Sequence, residues 1–282
     1  MTAGYVCVTF DFDALSGWMA RGQLSATPRS RGEFAAVGAE RLLHTLARRD
    51  LVSTWFVPGH TALTYPGLTR EIAAAGHEVA VHGHAHENVA ALPVEEERAV
   101  LQRSLAAVES VTGRRPRGFR APAWDLSDDS VVLLVEHGLA YDSSLMGHDY
   151  APYRCRTSDE VHQDGVRWGE RTDLVELPVS WSLDDYPYFE FQRTPSGVLP
   201  GLRAPAEMFG NWSDDLDYML RDIHRGVLTV TMHPEVIGRG HRLLALERWL
   251  DRLAELDVEV TTCERITELV RAGEELGGYR PA

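Results

Sequence analysis

Two clusters and two single residues stand out in the sequence for the chemistry their side chains can do. Asp11 and Asp13 flank Phe12. His82, His84 and His86 alternate with Gly83 and Ala85 and run on into Glu87 and Asn88, while Arg120 and His233 each end a run of strand-forming residues. In an extended chain alternate side chains point the same way, so both carboxylates are expected to face one pocket. Two like charges there repel and raise one pKa unless a cation sits beside them. Two imidazoles and one carboxylate make a three-ligand open site for a divalent metal, with water in the remaining position. Zinc suits that donor set best, with iron, cobalt and manganese as alternatives. The plainer reading of the aspartates is a pair capping backbone amides at a strand end, and that of any one histidine is packing. The full run of histidines opposite an Asp-x-Asp favours the metal.

Such residues need a frame that gathers distant segments. Strand patterns are predicted at 5–10, 52–57, 78–82, 118–121, 227–232 and 258–261, with a further short one at 174–177. Helical patterns are predicted at 34–49, 65–75, 93–112, 128–137, in a segment ending at His224, at 242–255 and at 264–272. Gly76 and Gly138 are natural stops, and Ser127 is the expected cap of the helix at 128–137. Alternating strands and helices with short joins imply a parallel sheet covered by helices. The turn after the first strand is acidic rather than glycine-rich, which argues against a dinucleotide fold and for an α/β barrel. Asp11, Asp13, His82 to His86, Arg120 and His233 all fall just past the C-terminal ends of predicted strands, the rim where such barrels carry catalytic groups. Between about 143 and 213 the rhythm breaks into a section rich in Tyr, Trp, Phe, Pro and Gly. No repeat or linker divides the 282 residues, so one catalytic domain over 1–282 is expected.

Composition removes several classes. With 42 acidic against 28 basic residues and a net charge of -14, the surface repels phosphate, and no nucleic-acid partner is expected. Every basic residue is Arg, so a Schiff-base, P-loop or carboxylated metal-bridging Lys is ruled out. No stretch approaches the roughly 18 apolar residues of a membrane span, so no membrane partner is expected. The N-terminal residues run straight into a strand pattern and read as no export signal. Cys7, Cys155 and Cys263 are widely spread and read as buried free thiols, from which a reducing, cytoplasmic location is expected.

His82-Gly83-His84 is similar to the His-x-His of metal amidohydrolase barrels, although there the motif belongs to the first strand and the two-metal versions commonly use a carboxylated Lys. A fuller resemblance, over most of the chain, is to the polysaccharide deacetylase superfamily (the NodB-homology domain of carbohydrate esterase family 4). It is carried by Thr9-Phe10-Asp11-Phe12-Asp13, His82-Gly83-His84-Ala85-His86, Arg120-Ala121-Pro122-Ala123-Trp124 and Thr231-Met232-His233. The resemblance implies a distorted (β/α) barrel with about seven parallel strands. It implies Asp11 as base, Asp13, His82 and His86 as metal ligands, Arg120 in one wall of the groove and His233 as general acid. His84 is then a candidate substrate contact. Phe12 between the aspartates and Ala14 after them depart from the adjacent Asp-Asp-Gly of most members. With His86-Glu87-Asn88, Trp181-Ser182-Leu183-Asp184-Asp185-Tyr186-Pro187 and His233-Pro234-Glu235, they resemble a cytoplasmic branch of cyclic-imide hydrolases, peptidoglycan-deacetylase-like and allantoinase-like proteins.

By that resemblance Arg120 holds Asp11 ionised, a backbone N–H near Ala123 helps stabilise the oxyanion, and His233 protonates the departing nitrogen. Ala123, Trp124 and Trp181 are candidate substrate contacts. The aromatic section (Tyr150, Tyr153, Trp168, Trp181, Tyr186, Tyr188, Phe189, Phe191 and Trp212) is expected either to roof the pocket or to fill core and subunit interface. The expected function is a metal-dependent hydrolase of a non-peptide C–N bond in a small or cyclic amide or imide. N-deacetylation of a GlcNAc-containing glycan or peptidoglycan precursor is the alternative, and a non-catalytic ligand-binding protein the third reading. A homo-oligomer is expected.

Overall fold

The computed structural model describes residues 2–190, 192–194, 197–199 and 201–279, so Phe191 lies outside the described residues. Its centre is one curled sheet of nine strands: β1 (Gly4–Asp11), β2 (Thr54–Val57), β3 (Glu78–Val81), β4 (Gly118–Phe119), β5 (Tyr141–Asp142), β6 (Tyr153–Thr157), β7 (Glu170–Glu176), β8 (Gly226–Met232) and β9 (Val258–Thr261). The order is β8-β1-β2-β3-β4-β5-β7-β6, and β9 also pairs with β1. All pairings are parallel except β6 with β7. The succession from β8 to β7 therefore supplies the seven parallel strands of a distorted (β/α) barrel. Its open side is spanned by the Val227 N–H donating to the Tyr150 carbonyl at 2.9 Å and by a parallel bridge between Asp184 and Thr231.

β1 shows why the rim carries the polar groups. Every residue in it is buried, as expected for a strand covered on both faces. Val6, Val8 and Phe10 pack outward against the helices, whereas Tyr5 and Cys7 join Phe56, Ala80, Tyr141, Val175 and Cys263 in a separate core inside the sheet's curl. The period of two then carries Thr9 and Asp11 along the same inner face to the C-terminal mouth. The opposite mouth is plugged by the last helix, Cys263–Arg271, whose Ile266 enters the inner core and whose cap Thr262 accepts from the Arg265 N–H. All three cysteines are buried and free.

Several elements differ from the sequence expectation. The first long helix is Ala26–Ala47, starting eight residues early because its polar opening turns, exposed and interrupted by Gly32, show no apolar stripe. A short helix, Gly59–Thr64, follows β2 where Pro58-Gly59 reads as a loop. Ser127 does not cap the helix Ser130–Glu136 directly; Asp129 occupies that position, and the Ser127 hydroxyl accepts from the Asp129 N–H one turn earlier. The aromatic section holds β6, an extended β7, the hairpins Glu160–His162/Gly165–Arg167 and Gln192–Thr194/Gly197–Leu199, and the helix Asp185–Phe189. The Glu160–Arg167 hairpin is mostly exposed, so its sequence lacks the alternation that marks a half-buried strand. Among the described residues no helix is long and apolar enough to cross a membrane.

Candidate active site

Asp11 is the last residue of β1, and Asp13 lies two positions on. Between them Phe12 turns outward, fully buried against Trp55 and Tyr65, and so pins the pair. His82 follows β3, and its Nδ1–H donates to the Arg120 carbonyl at 2.8 Å, leaving Nε2 with its lone pair toward the aspartates. Nε2 stands 3.4 Å from Asp13 Oδ1 and 3.8 Å from Asp11 Oδ2. His86, at a left-handed φ of 59°, brings its own Nε2 to 3.3 Å from Asp13 Oδ2. Burial alone would raise the Asp13 pKa, but the imidazoles of His86, His82 and His233 outweigh it and hold the carboxyl well below its usual range. Burial lowers the pKa of His82, which favours the neutral, ligating form.

These three residues fit a divalent cation. One donor atom from each lies within 4.8 Å of the others. Asp13 Oδ1 is buried without a hydrogen-bond donor, a cost that a bound cation removes. One carboxylate and two imidazoles, with room beside them, are the donor set of an open catalytic site.

Arg120 is fully buried at the end of β4. It donates to Asp11 Oδ1 at 2.7 Å, to the Thr9 hydroxyl at 2.8 Å and to the Ser143 carbonyl and hydroxyl at 2.9 Å, with its guanidinium 3.9 Å above the Phe56 ring. A charge so placed is held by its partners and leaves Asp11 one oxygen for the cavity. The residues after it take an unusual path, Ala123 and Trp124 both having left-handed φ (56° and 55°). That turn sets Ala123 in the cavity wall and stacks Trp124 on Trp181 at 4.4 Å between ring centroids.

His233 ends β8. Its backbone N–H and Nδ1 both donate to Asp185, the latter at 2.8 Å, and its Nε2 lies 4.0 Å from Asp13 Oδ2. Burial works against the imidazolium, yet the Asp185 hydrogen bond and the charges of Asp184, Asp185 and Asp13 raise its pKa well above the usual value. Burial also pushes the Asp184 carboxyl up to about 7 and that of Glu235, two residues past His233, up to about 8. The turn that carries His233 is seated on the first long helix at Gly38, where a Cβ would lie 2.0 Å from the Pro234 carbonyl oxygen.

Asp11, Asp13, His82, His86, Ala123, Trp124, Trp181 and His233 thus line one cavity of about 220 Å³, with Arg120 behind Asp11. His84 does not join them. Gly83 adopts φ 65°, which breaks the extended path and swings His84 away toward Gly59, whose Cβ position lies 2.5 Å from the imidazole Nδ1. It therefore contacts neither the ligand cluster nor the cavity. The aromatic section also divides: Trp181 and Tyr186 line the cavity, Trp212 and Phe189 are core, and Trp168 is 64% exposed beneath Arg156. Tyr186 was expected as part of a pocket roof, whereas Asp184, Asp185 and Arg21 belong to the site without having been singled out for it in the sequence. Their only signal is an Asp-Asp-Tyr triplet beside Trp181 and an Arg in a polar loop.

The family profile "Polysaccharide deacetylase" matches residues 28–141. A peptidoglycan deacetylase of Helicobacter pylori is 36% identical over 258 residues, covering 86% of this chain and 87% of that protein. A peptidoglycan deacetylase-like protein of Gibberella zeae is 32% identical over 277 residues, covering 87% and 80%. A crystal structure from Mycobacterium smegmatis assigned to the polysaccharide deacetylases superposes with a TM-score of 0.84 at 34% identity, over 100% of this chain and 94% of that one. The likeness spans nearly the whole chain and takes in all four segments that form the rim, and so the chain belongs to the polysaccharide deacetylase family.

Proposed function

We propose that the protein is a metal-dependent hydrolase that cleaves the C–N bond of a small, ring-sized amide or cyclic imide. The observation that carries this is the buried Asp13 carboxylate, its Oδ1 donorless and its two oxygens facing one imidazole each, with an Asp–Arg pair on one side and a His–Asp pair on the other. Asp13, His82 and His86 would hold the metal, most simply zinc, which when bound acidifies water and polarises a carbonyl. Asp11, oriented by its hydrogen bond from Arg120, accepts the proton of the attacking water. His233, held protonated by Asp185, presents Nε2–H to the departing nitrogen. The Ala123 peptide N–H, at the cavity wall, donates to the oxygen on which negative charge develops. The products are a carboxylic acid and an amine, or one ring-opened amide acid. The cavity of about 220 Å³, walled by the Trp124–Trp181 stack, supports a single ring rather than a chain of them. The whole chain is taken to act as one catalytic domain, and its free thiols suit a reducing compartment.

The names of the relatives favour a second reading, N-deacetylation of an amino sugar of the peptidoglycan kind. A panel decides between them. Purified protein is assayed for bound metal and then for ring opening of succinimide and hydantoin against acetate release from N-acetylglucosamine oligomers. The first reading expects stoichiometric metal and ring opening; acetate release alone selects the second, and neither activity after metal loading rejects both.

A further inference from the structure

We infer that the substrate of this site carries an anionic substituent, a carboxylate or phosphate, one ring-width from the scissile carbonyl, and that Arg21 receives it. This rests on the proposed reading of the cavity as an amide-hydrolase site. Arg21 is the C-cap residue of the short helix Ser16–Ala20, just before a tight turn in which Gly22 adopts φ 67°. Its guanidinium lies 5.3 Å from the ring centroids of both Trp18 and Tyr186, and one N–H donates to the Tyr186 hydroxyl at 2.7 Å. Trp18 is itself buried, so the clasp has one fixed wall.

Among the described residues Arg21 is the one guanidinium lining the cavity, and no carboxylate is paired with it. Its neighbours are committed elsewhere: Arg120 to Asp11, Arg31 to Glu190, and Arg242 to the Val236 carbonyl. An Arg carries five N–H donors in a planar fork, and the Tyr186 hydroxyl takes one of them. The two aromatic faces hold the plane and replace part of its hydration, which makes the open edge of the fork a prepared receptor for a carboxylate or phosphate. The rest of the lining offers only carboxylates, imidazoles, two indoles, a phenol and a methyl. With a neutral substrate the remaining donors of Arg21 would face solvent alone.

The test compares isosteric pairs on the metal-loaded enzyme: hydantoin-5-acetate against hydantoin-5-acetamide, and N-acetylmuramate against its lactyl amide. The first pair tests anionic recognition on an imide ring, and the second on an amino sugar. Wild type is expected to favour the anionic member of one pair by at least about 10-fold in kcat/KM, since hydrogen bonds to a charged group are worth that much. Arg21→Gln is expected to bring the ratio within about twofold of unity, Arg21→Lys to restore part of it, and 0.5 M salt to narrow it in wild type but not in Arg21→Gln. A purely structural clasp moves stability and leaves the ratio unchanged. Hydrolysis with no preference in either pair overturns the inference and leaves the proposed function standing. If no substrate of either pair is hydrolysed, Trp fluorescence titration with hydantoin-5-acetate decides: equal affinity in wild type and Arg21→Gln rejects the role of Arg21, and weaker binding in the variant upholds it.

Discussion

At the C-terminal mouth of the barrel Asp11 and Asp13 face Arg120, His82 and His86; at the opposite mouth Glu78 faces the Tyr141 hydroxyl at 2.7 Å, the Thr54 hydroxyl at 2.8 Å and the Glu264 amide at 2.9 Å. All three acids are buried. Burial pushes Glu78 up to about 7, because neutral donors offset only part of its desolvation. Asp13 goes the other way, since imidazoles surround it. The lower mouth also borders the larger cavity, about 390 Å³ lined by Arg70, Arg114, Arg115, Arg117 and Glu264. Size therefore does not mark the proposed working end. What marks it is a set of acids whose partners can take up or give back a proton or hold a metal, with an oxygen left unsatisfied among them.

Breaking the upper mouth has the largest effect. Asp13→Ala is expected to lower metal affinity by well over 100-fold and to abolish hydrolysis while the far-ultraviolet dichroism spectrum stays native, as metal analysis beside the spectrum would show. Asp185→Asn is next. With the carboxylate gone, the His233 pKa falls, so the alkaline limb of kcat/KM against pH moves to lower pH and the rate drops by about 100- to 10,000-fold. A pH–rate profile identical to wild type would remove His233–Asp185 from the mechanism.

The lower mouth responds in stability instead. Folded Glu78 keeps its proton up to about pH 7, whereas the unfolded carboxyl loses it near 4.5. The folded state binds the extra proton between those values, so stability falls as pH rises through the window, by about 3 kcal/mol. Glu78→Gln is expected to flatten that part of the urea-denaturation profile with metal content unchanged. Smallest of all is Arg114→Gln, which loses the contact of one exposed guanidinium nitrogen with both Glu264 oxygens and is expected to cost no more than about 1 kcal/mol, with kcat within twofold of wild type. A large loss of activity in that variant would mean the two mouths are not independent.

The upper mouth was legible in the sequence because its residues sit where strands end. Asp11, Asp13, His82, His86, Arg120 and His233 follow runs whose β-branched and aromatic content announces a strand, and strand ends of a parallel barrel converge. His84, expected as a substrate contact, lies outside the cavity because Gly83, at a left-handed φ of 65°, turns the chain between His82 and His84. Asp184 and Asp185 were not legible as site residues. They reach His233 through an isolated bridge to Thr231, after a section in which the Glu160–Arg167 hairpin is short and mostly exposed, and nothing in a single sequence states that bridge. The lower mouth was hidden for a related reason: Glu78 opens a strand and looks like any exposed first residue, and only the three-dimensional neighbours Tyr141 and Glu264 show it to be enclosed.

The contact between Gly38 and Pro234 fixes the seat of the proposed proton donor, His233. The two backbones touch where any side chain would stand, so the first long helix supports the turn that carries His233 with no room between them. One methyl group added there, far from Asp13, His82 and His86, is expected to displace the turn and slow turnover with metal content unchanged, as Gly38→Ala kinetics beside metal analysis would show, which makes a glycine on the outer ring a calibration point for the chemistry proposed at the centre.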